Sequence, residues 1–124
     1  MSGPSAFVDW NAVAGREVMP GDVIWDASGR DLQVIRAEMA PGADFPIHTH
    51  HHEQIIVILR GQLDFTVGEE RRVAGPGQAI VIPPDVPHGG RVHGPEAVMT
   101  IEAFHPVRRD FGHGSTRMDL RQPT

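Results

Sequence analysis

Gly42-Ala43-Asp44-Phe45-Pro46-Ile47-His48-Thr49-His50-His51-His52-Glu53-Gln54, continuing as Ile55-Ile56-Val57-Ile58-Leu59-Arg60-Gly61, is the stretch on which the fold turns. Four of the chain's eight histidines crowd into positions 48–52, directly before an apolar run. A purification tag would sit at a terminus, and this cluster is internal. Two readings remain, a solvated polar loop and a metal site. Neutral imidazole is the commonest metal ligand in proteins. Residues i and i+2 of a strand share a face, so His48 and His50 can grip one ion together. The run after them is apolar on both faces. Such a strand lines a barrel on one side and packs a second layer, or a partner subunit, on the other, so a homodimer is expected.

Outward from this stretch, 14 glycines and 11 prolines divide the chain into short Val-, Ile-, Leu- and Phe-rich runs, the mark of short strands joined by tight turns. Strands are expected near 23–25, 32–39, 45–50, 54–60, 63–68, 71–74, 79–82, 90–93 and 97–104. No helical period and no repeat appears. The expected class is all-β, a sandwich or a closed barrel whose interior can take a ligand. The 124 residues suit one domain, 1–124, with an N-terminal strand or arm over 1–20, a barrel core over about 30–111 and a loose tail over 113–124.

Composition removes several classes of function. Without cysteine there are no disulfides and no thiolate metal sites. Lysine is absent, so a Schiff-base lysine mechanism is excluded. A net charge of −5 with no basic cluster argues against nucleic acid as a partner. No run approaches the ~20 apolar residues of a membrane span, and the first ten residues lack a signal-peptide pattern. A cytoplasmic protein acting on a small molecule is expected.

Gly42-x5-His48-x-His50-x3-Gln54-x6-Gly61 and Gly77-x5-Pro83-x-Asp85-x2-His88 resemble, in order, the two motifs of the cupin family. The resemblance implies a double-stranded β-helix, or jelly-roll, barrel. It also implies one divalent metal ion held by His48, His50 and the acid position of the first motif, with His88 from the second. That acid position holds Gln54, with Glu53 one step earlier. Neighbours on a strand face opposite ways, so only one of them can reach the ion; the spacing to Gly61 favours Gln54 and turns Glu53 outward. His52 as the fourth ligand, with Gln54 in support, is the alternative. Three imidazoles and an amide cancel none of the ion's charge, which favours Lewis-acid chemistry over oxygen activation. Nickel, zinc, iron, manganese and copper all suit such ligands. His51, His93, His105 and His113 read as surface residues.

In Val98-Met99-Thr100-Ile101-Glu102-Ala103-Phe104 the alternation sets Thr100, Glu102 and Phe104 on one face and Met99, Ile101 and Ala103 on the other. The second set is expected to be core. Glu102 either faces the cavity, where low polarity would raise its pKa, or meets solvent or an arginine.

His48-x-His50-x-His52-Glu53-Gln54, Val81-Ile82-Pro83-Pro84-x-Val86-Pro87-His88-Gly89 and Phe104-x-Pro106-x-Arg108-x-Asp110-Phe111 together resemble a narrower group. It includes the cupins that linearise 4,5-unsaturated monouronates from pectin and alginate. That resemblance implies catalytic roles for Glu102, Phe104 and Arg108, with Arg108 pairing the substrate carboxylate. Two departures stand out: Glu102 replaces the usual Asp, and Arg60 stands where the group is often acidic. Arg36 and Arg91 are further candidate carboxylate partners. The alternatives to an isomerase are a cupin dioxygenase on a phenolic or diketone, a tailoring enzyme of secondary metabolism, and a non-catalytic binding barrel.

Overall fold

The computed structural model describes residues 5–111, and the tail expected over 113–124 lies outside them. Ten strands are described: β1 (Arg16–Met19), β2 (Asp22–Ser28), β3 (Gln33–Met39), β4 (Asp44–His48), β5 (Glu53–Arg60), β6 (Leu63–Val67), β7 (Glu70–Ala74), β8 (Ala79–Ile82), β9 (His88–Val92) and β10 (Val98–His105). Short 3-10 turns cover Trp10–Ala12 and Arg109–Phe111. The strands form two antiparallel sheets, ordered β1-β2-β3-β10-β5-β8 and β4-β9-β6-β7. This is a jelly-roll barrel, as expected. The nine expected strands are all present. β1 falls within the N-terminal strand or arm expected over 1–20 and pairs with β2 at the edge of the six-stranded sheet.

Alternation along each strand builds the interior. Ile24, Ile35, Ala37, Met39, Ile56, Ile58 and Val98 face inward from the larger sheet, and Phe45, Leu63, Phe65 and Val92 meet them from the smaller. Burial of this apolar surface is the main force holding the sheets together. Close approach of β9 to its neighbours depends on two glycines. A Cβ at Gly89 would lie 2.6 Å from the Phe45 carbonyl oxygen, and one at Gly90 would collide with that of Asp64. Only bare backbone therefore lets β9 pass between β4 and β6, and so brings His88 opposite His48.

One expectation is reversed. On β10 the inward residues are Val98, Thr100, Glu102 and Phe104, all buried, whereas Met99 and Ile101 are half-buried and Ala103 is exposed on the outer face. The outer face of the sheet is itself apolar, with Val81, Ile55, Ala103 and Val34 side by side on successive strands. Hydrophobicity alone therefore could not tell outside from inside.

Outside the barrel the arm before β1 is clamped by the two tryptophans. Trp25 Nε1 donates to the Val13 carbonyl at 3.1 Å and Trp10 Nε1 to that of Asp26 at 3.0 Å. The Arg36 guanidinium lies against both rings, 4.1 Å from the Trp25 centroid and 5.9 Å from Trp10, a cation–π arrangement. Arg36 is thus an outer-surface residue. Arg91 likewise lies outside, 3.6 Å from an Asp64 carboxylate that Arg71 grips at 2.7 Å. Neither arginine borders the barrel cavity.

Candidate metal and active site

His48 ends β4 and faces His88, which opens β9. His50 lies just past the strand, so the expected strand over 45–50 stops at 48. The turn after β4, not the strand pleat, brings His50 to the other two. Their ring centroids lie 4.4 to 5.5 Å apart, and one ligand nitrogen from each falls within 4.8 Å of the others. Three backbone carbonyls orient the rings. His48 Nδ1 donates to Pro46 O at 2.9 Å, His50 Nδ1 to His52 O at 3.0 Å and His88 Nδ1 to Val86 O at 2.9 Å. Each bond fixes the tautomer and leaves an Nε2 lone pair for a ligand. These three histidines could hold a metal ion.

Gln54 and Glu102 lie on adjacent strands as diagonal neighbours, Gln54 facing Phe104 across the ladder. Gln54 Nε2 donates to Glu102 Oε1 at 2.8 Å, and the Thr100 hydroxyl donates to Oε2 at 2.7 Å. A carboxylate needs donors, so it turns the amide nitrogen toward itself and the amide oxygen away. That oxygen, Gln54 Oε1, stands 3.1 Å from His50 Nε2. With the His50 proton on Nδ1, two lone pairs face each other at hydrogen-bond distance. Burial, with the Arg108 charge adding, pushes the His50 pKa down, so a proton between them is disfavoured. A cation resolves the conflict. His88 Nε2 is buried with no hydrogen-bond partner among the described residues, an arrangement a metal ligand explains. The donor set fits a divalent transition ion.

His52 does not join the converging nitrogens; its ring turns to a second, rim cavity with His51, Pro106 and Arg109. Glu53 points outward and is exposed, as do His51, His93 and His105. His113 lies outside the described residues.

Behind the histidines runs a cavity of about 450 Å³, within the usual range for small-molecule sites. Gln54, Glu102, Phe104 and Arg108 all border it. Glu102 is buried, and desolvation raises its pKa, opposed by its bonds to Thr100 and Gln54 and by the Arg108 charge. The Arg108 guanidinium lies 5.4 Å from the Phe104 ring centroid.

Two participants escaped sequence reasoning. Thr100 had been placed on the Glu102 face, but its bond to the carboxyl was not foreseen. Asp22, at the start of β2, lines the cavity with Val18, Met19 and Met39. Burial, with the Glu102 charge adding, raises its pKa to about 7. No motif marks it, because its place depends on how β1 and β2 close the barrel end.

A family profile described as a cupin domain matches residues 35–104. The chain belongs to the cupin family. Among curated cupin relatives, H2HPP isomerase of Bacillus subtilis is 32% identical over 73 residues, 58% of this chain and 31% of that one. The present chain thus spans about a third of that relative's length. KdgF from Halomonas sp. is a similar structure: TM-score 0.78 and 28% identity, covering 86% of this cupin and 97% of that chain. An RmlC-like cupin from Shewanella frigidimarina shares the fold at TM-score 0.80 and 23% identity, covering 90% of this chain and 99% of its own. Similar structures also include an oxalate oxidase, at 21% identity over 81% of this chain and 59% of that one, with TM-score 0.65.

Proposed function

We propose that this cupin is a metal-dependent enzyme that opens and isomerises the ring of a small unsaturated uronate. One observation carries the proposal: His48 and His88 of the three-histidine cluster border one cavity together with Gln54, the buried Glu102 and Arg108. The resemblance of the three quoted stretches to the uronate-linearising cupins supports the substrate class. The likeness to KdgF over most of both chains and the isomerase name of the Bacillus relative support the same reading.

His48, His50 and His88, with Gln54 as fourth ligand, would hold the ion. When bound, it supplies a Lewis acid that polarises a substrate oxygen. Arg108 binds the substrate carboxylate in a two-point contact. Phe104, buried beside it, walls the cavity and excludes water. Glu102 moves the proton. The reaction is an isomerisation: the anomeric hydroxyl loses its proton as the ring C–O bond breaks, and the former alkene carbon gains one as enol becomes ketone. No oxidant is consumed. Burial favours the neutral acid while the Gln54 and Thr100 donors and the Arg108 charge favour the carboxylate, so both forms have support and Glu102 is placed to give and take a proton. The Thr100 hydroxyl donates to the carboxylate and can accept from the acid, so it follows either state.

Elemental analysis of purified protein, paired with an oxygen electrode and the ultraviolet absorbance of a 4,5-unsaturated monouronate, tests this. The expected result is about one divalent ion per chain, loss of absorbance and no oxygen uptake. Oxygen uptake dependent on a phenolic or diketone substrate would overturn it in favour of a dioxygenase.

A further inference from the structure

The tail motif Phe104-x-Pro106-x-Arg108-x-Asp110 contains an acid to which the chemistry above assigns no part. Asp110 Oδ1 accepts from Arg108 Nε at 3.1 Å, and Oδ2 from Nη2 at 2.6 Å. The pair is bidentate along one edge of the guanidinium, the strongest geometry such a pair adopts. The two partners differ in setting: the Arg108 side chain is 16% exposed, the Asp110 side chain 61%. Asp110 therefore grips the cation from the rim, while Phe104 lies against it from within. The Arg108 backbone is anchored as well. Its N–H donates to Gln33 Oε1 at 2.9 Å, and Gln33 Nε2 donates to its carbonyl at 3.4 Å. Gln33 is itself buried on β3.

We infer that Asp110 is a positioning residue for carboxylate recognition, holding the Arg108 guanidinium by one edge so that the cation is presented to the cavity before any ligand arrives. The inference rests on Arg108 as the carboxylate-binding residue proposed above. An arginine has many rotamers, and freezing them on binding weakens affinity. Here the backbone anchor, the aromatic ring and the Asp110 grip freeze them in the free protein. An ordinary surface ion pair contributes little; this one acts because its cation is nearly enclosed. The opposing possibility is that Asp110 occupies the place of the substrate carboxylate and must be displaced. Asp110 itself borders the cavity with its side chain 61% exposed, and the direction of the KM change below separates the two roles.

Two measurements on the metal-loaded protein test the inference. The first follows the Arg108 Nε–H signal by nitrogen-edited NMR without substrate. It is expected to be sharp and slowly exchanging in the wild type, lost in Asp110→Asn and recovered at least in part in Asp110→Glu. The second is steady-state kinetics on a 4,5-unsaturated monouronate. Asp110→Asn should raise KM by ~10-fold and change kcat by less than about three-fold, the pattern of lost binding rather than lost chemistry. Asp110→Glu should restore part of KM. A persistent Nε–H signal in Asp110→Asn overturns the inference, as does an unchanged KM. A lowered KM overturns it in favour of displacement. If the wild type acts on no uronate, the functional proposal falls, and the NMR comparison by itself decides the role of Asp110.

Discussion

Gln54 serves two neighbours whose demands agree. Glu102 requires a donor, and the histidine cluster requires an acceptor for a cation; an amide supplies both, one from each end. A glutamate there would set two carboxylates against each other in a buried site, where one must stay protonated. This explains the departure from an acid at position 54 that the sequence displays but does not account for. His88→Ala is expected to leave the protein without bound metal, measured by elemental analysis; full occupancy would remove His88 from the ligand set. Glu102→Gln is expected to keep the metal yet slow turnover by ~10²-fold or more, the usual cost of losing an acid–base group. Undiminished turnover would make Glu102 a structural residue. Burial lowers the pKa of His50 and His88 below the ordinary 6.5. A depressed histidine pKa keeps the ring neutral to lower pH, and only the neutral ring binds metal. Equilibrium dialysis over a pH series should therefore show metal retained as pH falls through 6.5 and released below it. Release already above 6.5 would contradict the assignment.

At the scale of elements, legibility followed the physics of each strand. The turn residues marked nine strands well, because glycine and proline punctuate a chain whatever surrounds it. β10 was misread at one level only. Its two faces were correctly separated, but the more polar one, with Thr100 and Glu102, proved to be the inside. A barrel that keeps a cavity can bury polar groups if they bond one another, as these two do. The alternation of a strand gives two faces without saying which is inner. The histidine pair 48 and 50 was legible as a pair, though the turn, not the pleat, unites it. Asp22 was illegible because only the closure of β1 and β2 puts it in the cavity. β9 supplies a test of the packing that aligns His88. Gly90→Ala should lower stability by about 1–3 kcal/mol through overpacking against the Asp64 carbonyl. Urea unfolding of the metal-free protein measures this, and an unchanged midpoint would mean that β6 and β9 part easily.

For the whole molecule, the apolar outer face of the larger sheet bears on the expected pairing of two copies. Ile55, Val57, Leu59 and Val81 are exposed on β5 and β8, and cross-strand register makes them contiguous. Patches of this kind commonly mark association surfaces. Light scattering of Val57→Lys is expected to report a monomer where the wild type reports a dimer; a wild-type monomer would leave the patch without that role. On the opposite flank of the same sheet the clamped arm has a spectroscopic consequence. The chain has two tryptophans and no tyrosine, so its near-ultraviolet-excited emission arises almost wholly from the pair that brackets Arg36. Neither indole borders the metal cavity. The protein's own glow is therefore a gauge of whether the arm is seated, and it should stay dark to events among the histidines.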